Sequence, residues 1–395
     1  MTAPASPSPV VAVWRSNWLP ASETFIRDHI ESLRRWRPLP VGLACFDTRL
    51  GIVPEIAPFR ESGPIRKVGR IWRRIGYLGV YERGFRKARV ELVHAHFGRD
   101  ALEVLPVARR MNLPLIVTFH GYDVTEAPLR PDAPTYLAGL RELFDYASLL
   151  LPVSEFNASK LAELGAPADK IRVHYLGIPA LKRPLDGPTG PAPGERANFV
   201  FVGRLVEGKG VDDLITAYSG LAPDLRQRTD LHIVGDGAAL EALQRQAAGV
   251  EGTVIFHGRK PPEDVARLMR ASTALVGASK RSSIGWVEGF GLVFMEAARA
   301  GVPAIGYRTG GIPEAVLDGE TGLLADEGDV AGLTAAMERI LTDPQLRERL
   351  GRTGWERQRS DFDLLTQSAK LEGIYDEIVA SHTGARRLTG GRPHG

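Results

Sequence analysis

Two glutamates, Glu288 and Glu296, frame a glycine-punctuated stretch, "EGFGLVFMEAARAGVPAIG" at 288–306. The apolar run "TALVGAS" ahead of them reads as a strand, "KRSSIGWVEGF" as a loop, and a helix begins near Gly291. Gly289 and Gly291 let the backbone turn tightly and approach a ligand. The amides of Phe290, Gly291 and Leu292 then point out of the positive end of the helix dipole, a place suited to phosphate. Glu296 falls just over one turn inside that helix and Glu288 on its loop side, one carboxylate for each flank of a phosphate-containing ligand. Carboxylates accept hydrogen bonds from hydroxyls, so the complement is a sugar on each side of a pyrophosphate. The plainer reading makes Glu296 a surface helix residue and Glu288 a solvated loop charge. Glu296 sits between Met295 and Ala297-Ala298, which favours a buried functional partner.

A second loop, "VGRLVEGKG" at 202–210, follows a strand and precedes a helix. Gly203 opens it, and Arg204 and Lys209 supply a bidentate donor and a point charge, as a pyrophosphate requires. "GDG" at 235–237 puts Gly235 at another strand end, either lining a nucleotide pocket or making a simple turn. "YRTGGIPEAV" repeats the glycine-turn-then-helix device, with Pro313 suited to a first helical turn.

Histidines mark the front half. His94 and His96 in "HAHF" share a strand face, and such a pair can bind zinc. No compact set of further ligands is evident, so no metal is expected, and the pair is placed on the acceptor side of a binding cleft. His120 closes "VTFHG" with Gly121 and Asp123 alongside; it is either a structural histidine or a functional one, and its company favours function. "DFD" at 361–363 has the form of a metal-binding DxD, but its place at the start of a terminal helix makes Asp361 an expected cap.

The elements that position these residues alternate. After "TAPASPSP", expected to be disordered over 1–9, strands such as "VVAVWRSNWLP", "VELVHAHF" and "LPLIVTFHG" alternate with helices such as "SETFIRDHIESLRRW". Ser22 is the expected N-cap of that helix, and Phe25, Ile26, Ile30 and Leu33 form its apolar stripe. Residues 183–197, with four prolines and three glycines, read as a linker, after which the alternation restarts. Continuous apolar strands between helices indicate parallel sheets covered on both faces. The expected fold is therefore α/β: two doubly wound, Rossmann-like domains, 10–182 and 198–360, facing each other across a cleft. A helix over 361–381, possible as a return to the first domain, and a tail over 382–395 follow. Ligands of such sheets bind at the strand C-termini.

Net charge is only +3, which argues against a nucleic-acid binder. Residues 1–190 carry 26 Lys/Arg against 19 Asp/Glu, whereas 191–395 carry 24 against 28. The excess concentrates in 66–89, with nine basic side chains and the aromatics Trp72, Tyr77, Tyr81 and Phe85. That stretch reads as a solvated charged face or as an interfacial element on anionic lipid. One cysteine, Cys45, excludes an internal disulfide. With neither a signal peptide nor a spanning segment evident, the expected location is cytoplasmic, with peripheral contact to the inner face of the membrane through 66–89.

"GRLVEGKG", "VGDG", "EGFGLVFMEA" and "GGIPEAV" together resemble the retaining glycosyltransferases of family 4, which have the GT-B fold, and the two glutamates match that family's E-x7-E motif. "SETFIRDHI", "HAHFG" and "TFHGYDV" resemble its colanic-acid and exopolysaccharide-type members; the likeness runs from about residue 10 to 380. The resemblance implies that Arg204 and Lys209 hold the donor diphosphate, Glu296 the ribose hydroxyls and Glu288 the donor sugar. Phe290, Gly291 and Leu292 would supply amides, His120 would border the transferred sugar, and His257 and Gly258 of "FHGRK" would flank the base. Gly203 and Gly235 fall on the donor side; Ser22, His96 and Asp123 fall on the acceptor side. It further implies a nucleotide-sugar donor based on UDP or GDP, a lipid-linked or polysaccharide acceptor, no cofactor and no catalytic metal. The loop "SKRSSIGW" departs from close relatives, whose loop is more acidic and glycine-rich, and this bears on the donor sugar. Two other classes fit parts of the pattern: a sugar-nucleotide epimerase and a non-catalytic sugar-nucleotide sensor.

Overall fold

The computed structural model describes residues 8–20, 22–45, 49–58, 78–179, 190–191 and 195–389. The chain forms two compact units: unit 1 is 1–153, 158–177 and 364–395, and unit 2 is 154–157 and 178–363. Most of the linker-like stretch 183–197, the N-terminal residues 1–7 and the part of the basic stretch before Leu78 lie outside the described residues.

Unit 1 is built on five parallel strands: β1 (Val10–Asn17), β2 (Arg37–Ala44), β3 (Val90–His96), β4 (Leu115–Phe119) and β5 (Leu149–Pro152). Their order is β2-β1-β3-β4-β5. Strand β1 shows why this sheet is buried twice. Val10, Ala12 and Trp14 enter one core, with Tyr81 and Phe85, while Val11 and Val13 enter another, with Ile26, Trp36 and Tyr375. Pro38 and Pro40 are tolerated in β2 because it is an edge strand. Helices α1 (Thr24–Ser32), α2 (Leu78–Ala88), α3 (Gly98–Met111), α4 (Tyr122–Thr125), α5 (Ala133–Tyr146) and α6 (Glu155–Glu163) follow the strands. Of these, α6 begins in the short segment grouped with unit 2.

Unit 2 has six parallel strands: β6 (Ala197–Val202), β7 (Thr229–Val234), β8 (Thr253–Gly258), β9 (Ala274–Gly277), β10 (Ala304–Arg308) and β11 (Gly322–Asp326). Their order is β11-β10-β9-β6-β7-β8, the doubly wound arrangement in which chain direction across the sheet reverses between β6 and β9. The helices are α7 (Val211–Ser219), α8 (Pro223–Gln227), α9 (Leu240–Ala247), α10 (Pro262–Arg270), α11 (Leu292–Arg299), α12 (Ile312–Ala315), α13 (Val330–Thr342) and α14 (Pro344–Asp361). The last helix, α15 (Leu364–Thr389), belongs to unit 1, where Leu371, Ile374 and Tyr375 join the core.

Several expectations need correction. Ser22 is exposed and does not cap α1; Glu23 holds that position, and its carboxylate is taken by Arg15 rather than by a helix amide. Asp361 ends α14, where it pairs with Arg357 at 3.6 Å, instead of capping the terminal helix. Helix α15 runs on to Thr389, past the expected start of the tail at 382. In the basic stretch, Tyr81 and Phe85 are fully buried on α2, so they are core residues and cannot face lipid.

Candidate active site

In unit 2, the reversal of strand order sets the loops after β6 and β9 side by side. Backbone hydrogen bonds stitch the neighbouring strand ends: Gly203 N–H donates to the Val234 carbonyl at 3.0 Å, and Gly235 N–H to the Gly258 carbonyl at 2.9 Å. Gly235 has φ +143°, and a Cβ there would lie 1.8 Å from the Gly203 oxygen, so only glycine allows this contact. Arg204 projects from this loop, exposed, and its guanidinium makes no ion pair among the described residues. His257, which ends β8 beside Gly258, is half-buried and hydrogen-bonded to His232 at 3.1 Å. Burial lowers the pKa of both rings.

Lys209 closes a short turn over Glu207–Lys209, before Gly210 at φ +62°. A Cβ on Gly210 would fall 1.7 Å from the Ala278 carbonyl oxygen, so the turn rests directly on the end of β9. This seats the Lys209 ammonium against the Glu288 carboxylate in a hydrogen-bonded ion pair, 4.8 Å from the centre of the Trp286 ring. The distinctive loop at 279–286 is tied down by its own side chains. Lys280 bridges Asp212 (2.8 Å) and Asp213 (2.6 Å), and Glu207 accepts from the Ser283 amide (2.8 Å) and hydroxyl (2.7 Å). Its lysine is thus used internally, whereas Lys209 stays partly exposed beside Glu288.

Gly291, at φ +88°, starts α11, and the amides of Gly291 and Leu292 make no hydrogen bond among the described residues. Phe290 is buried with its ring against Phe362, 5.4 Å between centroids, so only its backbone can serve a ligand. From behind, Gly311 N–H donates to the Glu288 carbonyl at 3.0 Å, so the Thr309–Gly311 turn supports Glu288. Glu296 lies on α11 as expected, but it is half-exposed rather than buried, since one side of this helix is open.

Unit 1 gathers four histidines. His96 ends β3 and His120 follows β4, with His96 Nδ1 and His120 Nε2 3.1 Å apart. His29, from α1, bonds His96 (3.0 Å) and the Tyr375 hydroxyl (2.9 Å). His94 bonds the same hydroxyl (2.5 Å) and Thr118 Oγ1 (2.7 Å). Desolvation holds His29 and His120 down to about 3, with the charges of His174 on the first and Arg15 and His29 on the second adding to it. His94 and His96 are driven well below the usual imidazole range by the same burial. All four are therefore neutral at pH 7.

Three assignments on this side change. His96 is 2% exposed and spends both ring nitrogens on His29 and His120, so it supports rather than touches a ligand. Asp123 is fully buried; its carboxylate accepts the amides of Gly98, His120 and Gly121 at 3.0–3.1 Å. It clasps the loops after β3 and β4, and desolvation raises its pKa to about 6. The third change concerns His94 and His96, which do have a further companion: His29, His94 and His96 offer nitrogens within 4.8 Å of one another. This is the grouping among the described residues with metal-ligand chemistry, and its ring nitrogens already pair with protein groups.

Sequence reasoning also missed Arg15, which pairs with Glu23 (2.7 Å) and Asp100 and lies 4.7 Å from the Phe97 ring centre. His29 could have been found, since it follows Ile26 and precedes Ile30 on the apolar stripe of α1. Nothing local marks Tyr375.

Comparison with known proteins places the chain in a family. Residues 22–180 match the family described as Glycosyltransferase Family 4, and residues 186–357 match Glycosyl transferases group 1. A GDP-mannose-dependent alpha-(1-6)-phosphatidylinositol monomannoside mannosyltransferase of Mycolicibacterium smegmatis is 34% identical over 71% of this chain and 74% of that protein. The chain belongs to the glycosyltransferases. A glycogen synthase of Mycobacterium tuberculosis is 33% identical over 76% of this glycosyltransferase and 72% of its own length. Among solved structures, Anabaena HepE in complex with UDP and glucose superposes with a TM-score of 0.73 at 18% identity, covering 93% of this chain and all of that one. Sucrose-phosphate synthase from Thermosynechococcus elongatus gives 0.75 at 20% identity, covering 94% and 100%. The fold is GT-B, with two Rossmann-like parallel-sheet domains. No described helix is long and apolar enough to cross a membrane.

Proposed function

We propose that this glycosyltransferase moves a hexose-type sugar from a nucleotide-diphosphate sugar to a hydroxyl acceptor, with retention of configuration and without a catalytic metal. The observation that carries this reading is the Lys209–Glu288 pair beside the open N-terminus of α11, at the reversal point of the unit 2 sheet. Arg204, Lys209 and the amides of Gly291 and Leu292 supply positive potential where charge builds on a departing diphosphate. Glu288 is assigned to the donor sugar, Glu296 to the ribose hydroxyls and His120 to a sugar oxygen. The bond between the sugar's anomeric carbon and the phosphate oxygen breaks, leaving its electrons on the diphosphate. The acceptor oxygen bonds to the same face of that carbon and passes its proton to a phosphate oxygen, so no strong protein base is needed.

Guanine and uracil are the two bases to compare, because the mycobacterial relative is named for GDP-mannose and HepE was solved with UDP. A lipid-linked or polysaccharide acceptor is assigned, as in cell-surface or exopolysaccharide synthesis; the relatives' names cover a phosphatidylinositol mannoside, D-inositol 3-phosphate and glycogen synthesis. The first test is thermal stability with UDP, GDP and ADP, each with and without EDTA. A ligand that binds only the folded protein adds about 2.7 kcal/mol at a hundredfold excess over its Kd. Stabilisation by one diphosphate, insensitive to EDTA, is expected. No response to any of them overturns the donor assignment, and an anomerically inverted product in NMR overturns retention.

A further inference from the structure

Six polar groups of unit 1 form a single file. Thr118 Oγ1 meets His94 Nε2 (2.7 Å), His94 Nδ1 meets the Tyr375 hydroxyl (2.5 Å), and that hydroxyl meets His29 Nε2 (2.9 Å). His29 Nδ1 then meets His96 Nε2 (3.0 Å), and His96 Nδ1 meets His120 Nε2 (3.1 Å). Each group brings one mobile hydrogen, because a neutral imidazole has one N–H and a hydroxyl one O–H. Six hydrogens meet five links, so when every link is made one hydrogen points out of the file, either at one of its ends or from Tyr375, whose oxygen can accept from both neighbours. Tyr375 is fully buried, and its hydroxyl meets only His29 and His94 among the described residues, so a hydrogen sent out there would be an unmet donor and the choice lies between the two ends.

The two ends differ. Thr118 is 2% exposed, and its hydroxyl has no second hydrogen-bond partner among the described residues. A hydrogen sent out there would be an unmet donor in the protein interior. His120 is half-exposed, with Phe25 and Phe97 rings at its sides, and its Nδ1 makes no hydrogen bond among the described residues. The outgoing hydrogen therefore belongs at His120. We infer that the file runs one way, from the Thr118 hydroxyl through His94, Tyr375, His29 and His96, and fixes His120 as the Nδ1–H tautomer. His120 then offers substrate a hydrogen-bond donor, suited to a lone pair on a sugar or phosphate oxygen, and not a base. Tyr375, on the C-terminal helix, is a positioning residue for it. The charged and titratable groups around the file are Arg15 from β1, Asp123 from α4, His174, and Glu372 from α15. Asp123 accepts the backbone amide of His120, and none of these groups hydrogen-bonds a ring nitrogen of the file. The link to substrate rests on the proposed function; the tautomer does not.

The test is two-dimensional NMR of the full chain labelled with 15N-histidine, using long-range ring correlations that separate the tautomers, with His120 assigned by His120→Gln. The expected result is a neutral His120 protonated at Nδ1. Tyr375→Phe cuts the file and leaves the inner end of the His29–His96–His120 segment satisfied in neither direction. His120 should then become a mixture of tautomers, and kcat should fall several-fold with KM for the donor little changed. A wild-type His120 protonated at Nε2 overturns the inference. So do shifts at His29, His94 and His96 that disappear on chelation, because the rings would then be metal ligands. If the tautomer is found but His120→Gln transfers sugar at the full rate, the file stands and it is the substrate role of His120 that fails.

Discussion

Lys209 and Glu288, 79 residues apart in sequence, form a hydrogen-bonded ion pair that joins the loop after β6 to the loop after β9. Both side chains are mostly buried, 18% and 14% exposed, so removing one partner leaves the other charge partly desolvated and unpaired. An incoming diphosphate can share the ammonium, and a sugar hydroxyl can share the carboxylate. Lys209→Met should lower kcat about 10²–10³-fold, the usual loss for one preorganised transition-state donor. Its midpoint in urea should fall moderately, because Glu288 keeps its charge without a counter-ion, while the loss of turnover dominates. A large loss of stability with modest loss of turnover would make the pair structural. Glu288→Gln should also abolish most transfer, and transfer that survives intact would remove Glu288 from the mechanism.

Glycines at the same loops separate two physical causes. Gly258 has φ +64° with nothing within 4 Å of an added Cβ, so Gly258→Ala should cost about 1–2 kcal/mol, the penalty of a left-handed backbone. Gly210→Ala and Gly235→Ala carry the backbone penalty and also a carbonyl oxygen at 1.7 and 1.8 Å. Their losses should exceed that of Gly258→Ala and be accompanied by weaker nucleotide binding, because the loops must separate. Equal losses at all three positions in urea denaturation would refute the close approach.

The sheets and the glycine-rich loops at their strand ends could be read in the sequence because their signals are local. Apolar runs of strand length, glycine before a helix, and Arg204, Lys209, Glu288 and Glu296 at strand or helix ends need no knowledge of tertiary contacts. Asp123 and His96 were misplaced for the opposite reason: a polar residue at a strand end faces either a ligand or a neighbouring loop, and only packing decides. Tyr81 and Phe85 were masked by the arginines around them, although their i, i+4 spacing is that of a core-facing stripe. Tyr375 reaches His29 across 346 positions, a contact that no window of sequence contains.

Arg15 shows what such long-range packing is worth. It ties Glu23 at the start of α1 to Asp100 in α3, and all three side chains are 11–14% exposed. Arg15→Met leaves two nearly buried carboxylates without a counter-charge and should cost about 3–5 kcal/mol. The double variant Arg15→Met/Glu23→Gln should recover part of that loss. A loss below about 1 kcal/mol would mean that water replaces the guanidinium.

Membrane contact, proposed for the basic stretch, rests on Arg70, Arg73 and Arg74, which lie outside the described residues. Each basic side chain near an anionic surface is worth about 1 kcal/mol, so neutralising all three should weaken binding to phosphatidylserine vesicles about 100-fold. Unchanged binding in a sedimentation assay would remove the proposal.

Five histidines of unit 1 make its stability fall in mild acid. His29, His94, His96, His120 and His174 all have folded pKa values below the model-peptide 6.5, about 3 for His29 and His120 and about 4 for His174, chiefly through desolvation. The unfolded chain therefore binds more protons than the folded one between about pH 4 and 6.5, and stability rises with pH across that window. The contribution is fully present above 6.5 and is lost as pH falls. Each ring adds a slope of up to about 1.4 kcal/mol per pH unit. Asp123 has the opposite sign: its raised value of about 6 makes the folded state hold a proton that the unfolded state releases, so its term favours folding at lower pH. One such carboxyl offsets about one histidine, so the net dependence keeps the sign set by the histidines. Urea titrations at pH 7, 6 and 5 should show unit 1 losing most of its stability before any of these rings is protonated in the folded state. A flat profile over that range would show that the rings are hydrated, and with them the file that ends at His120.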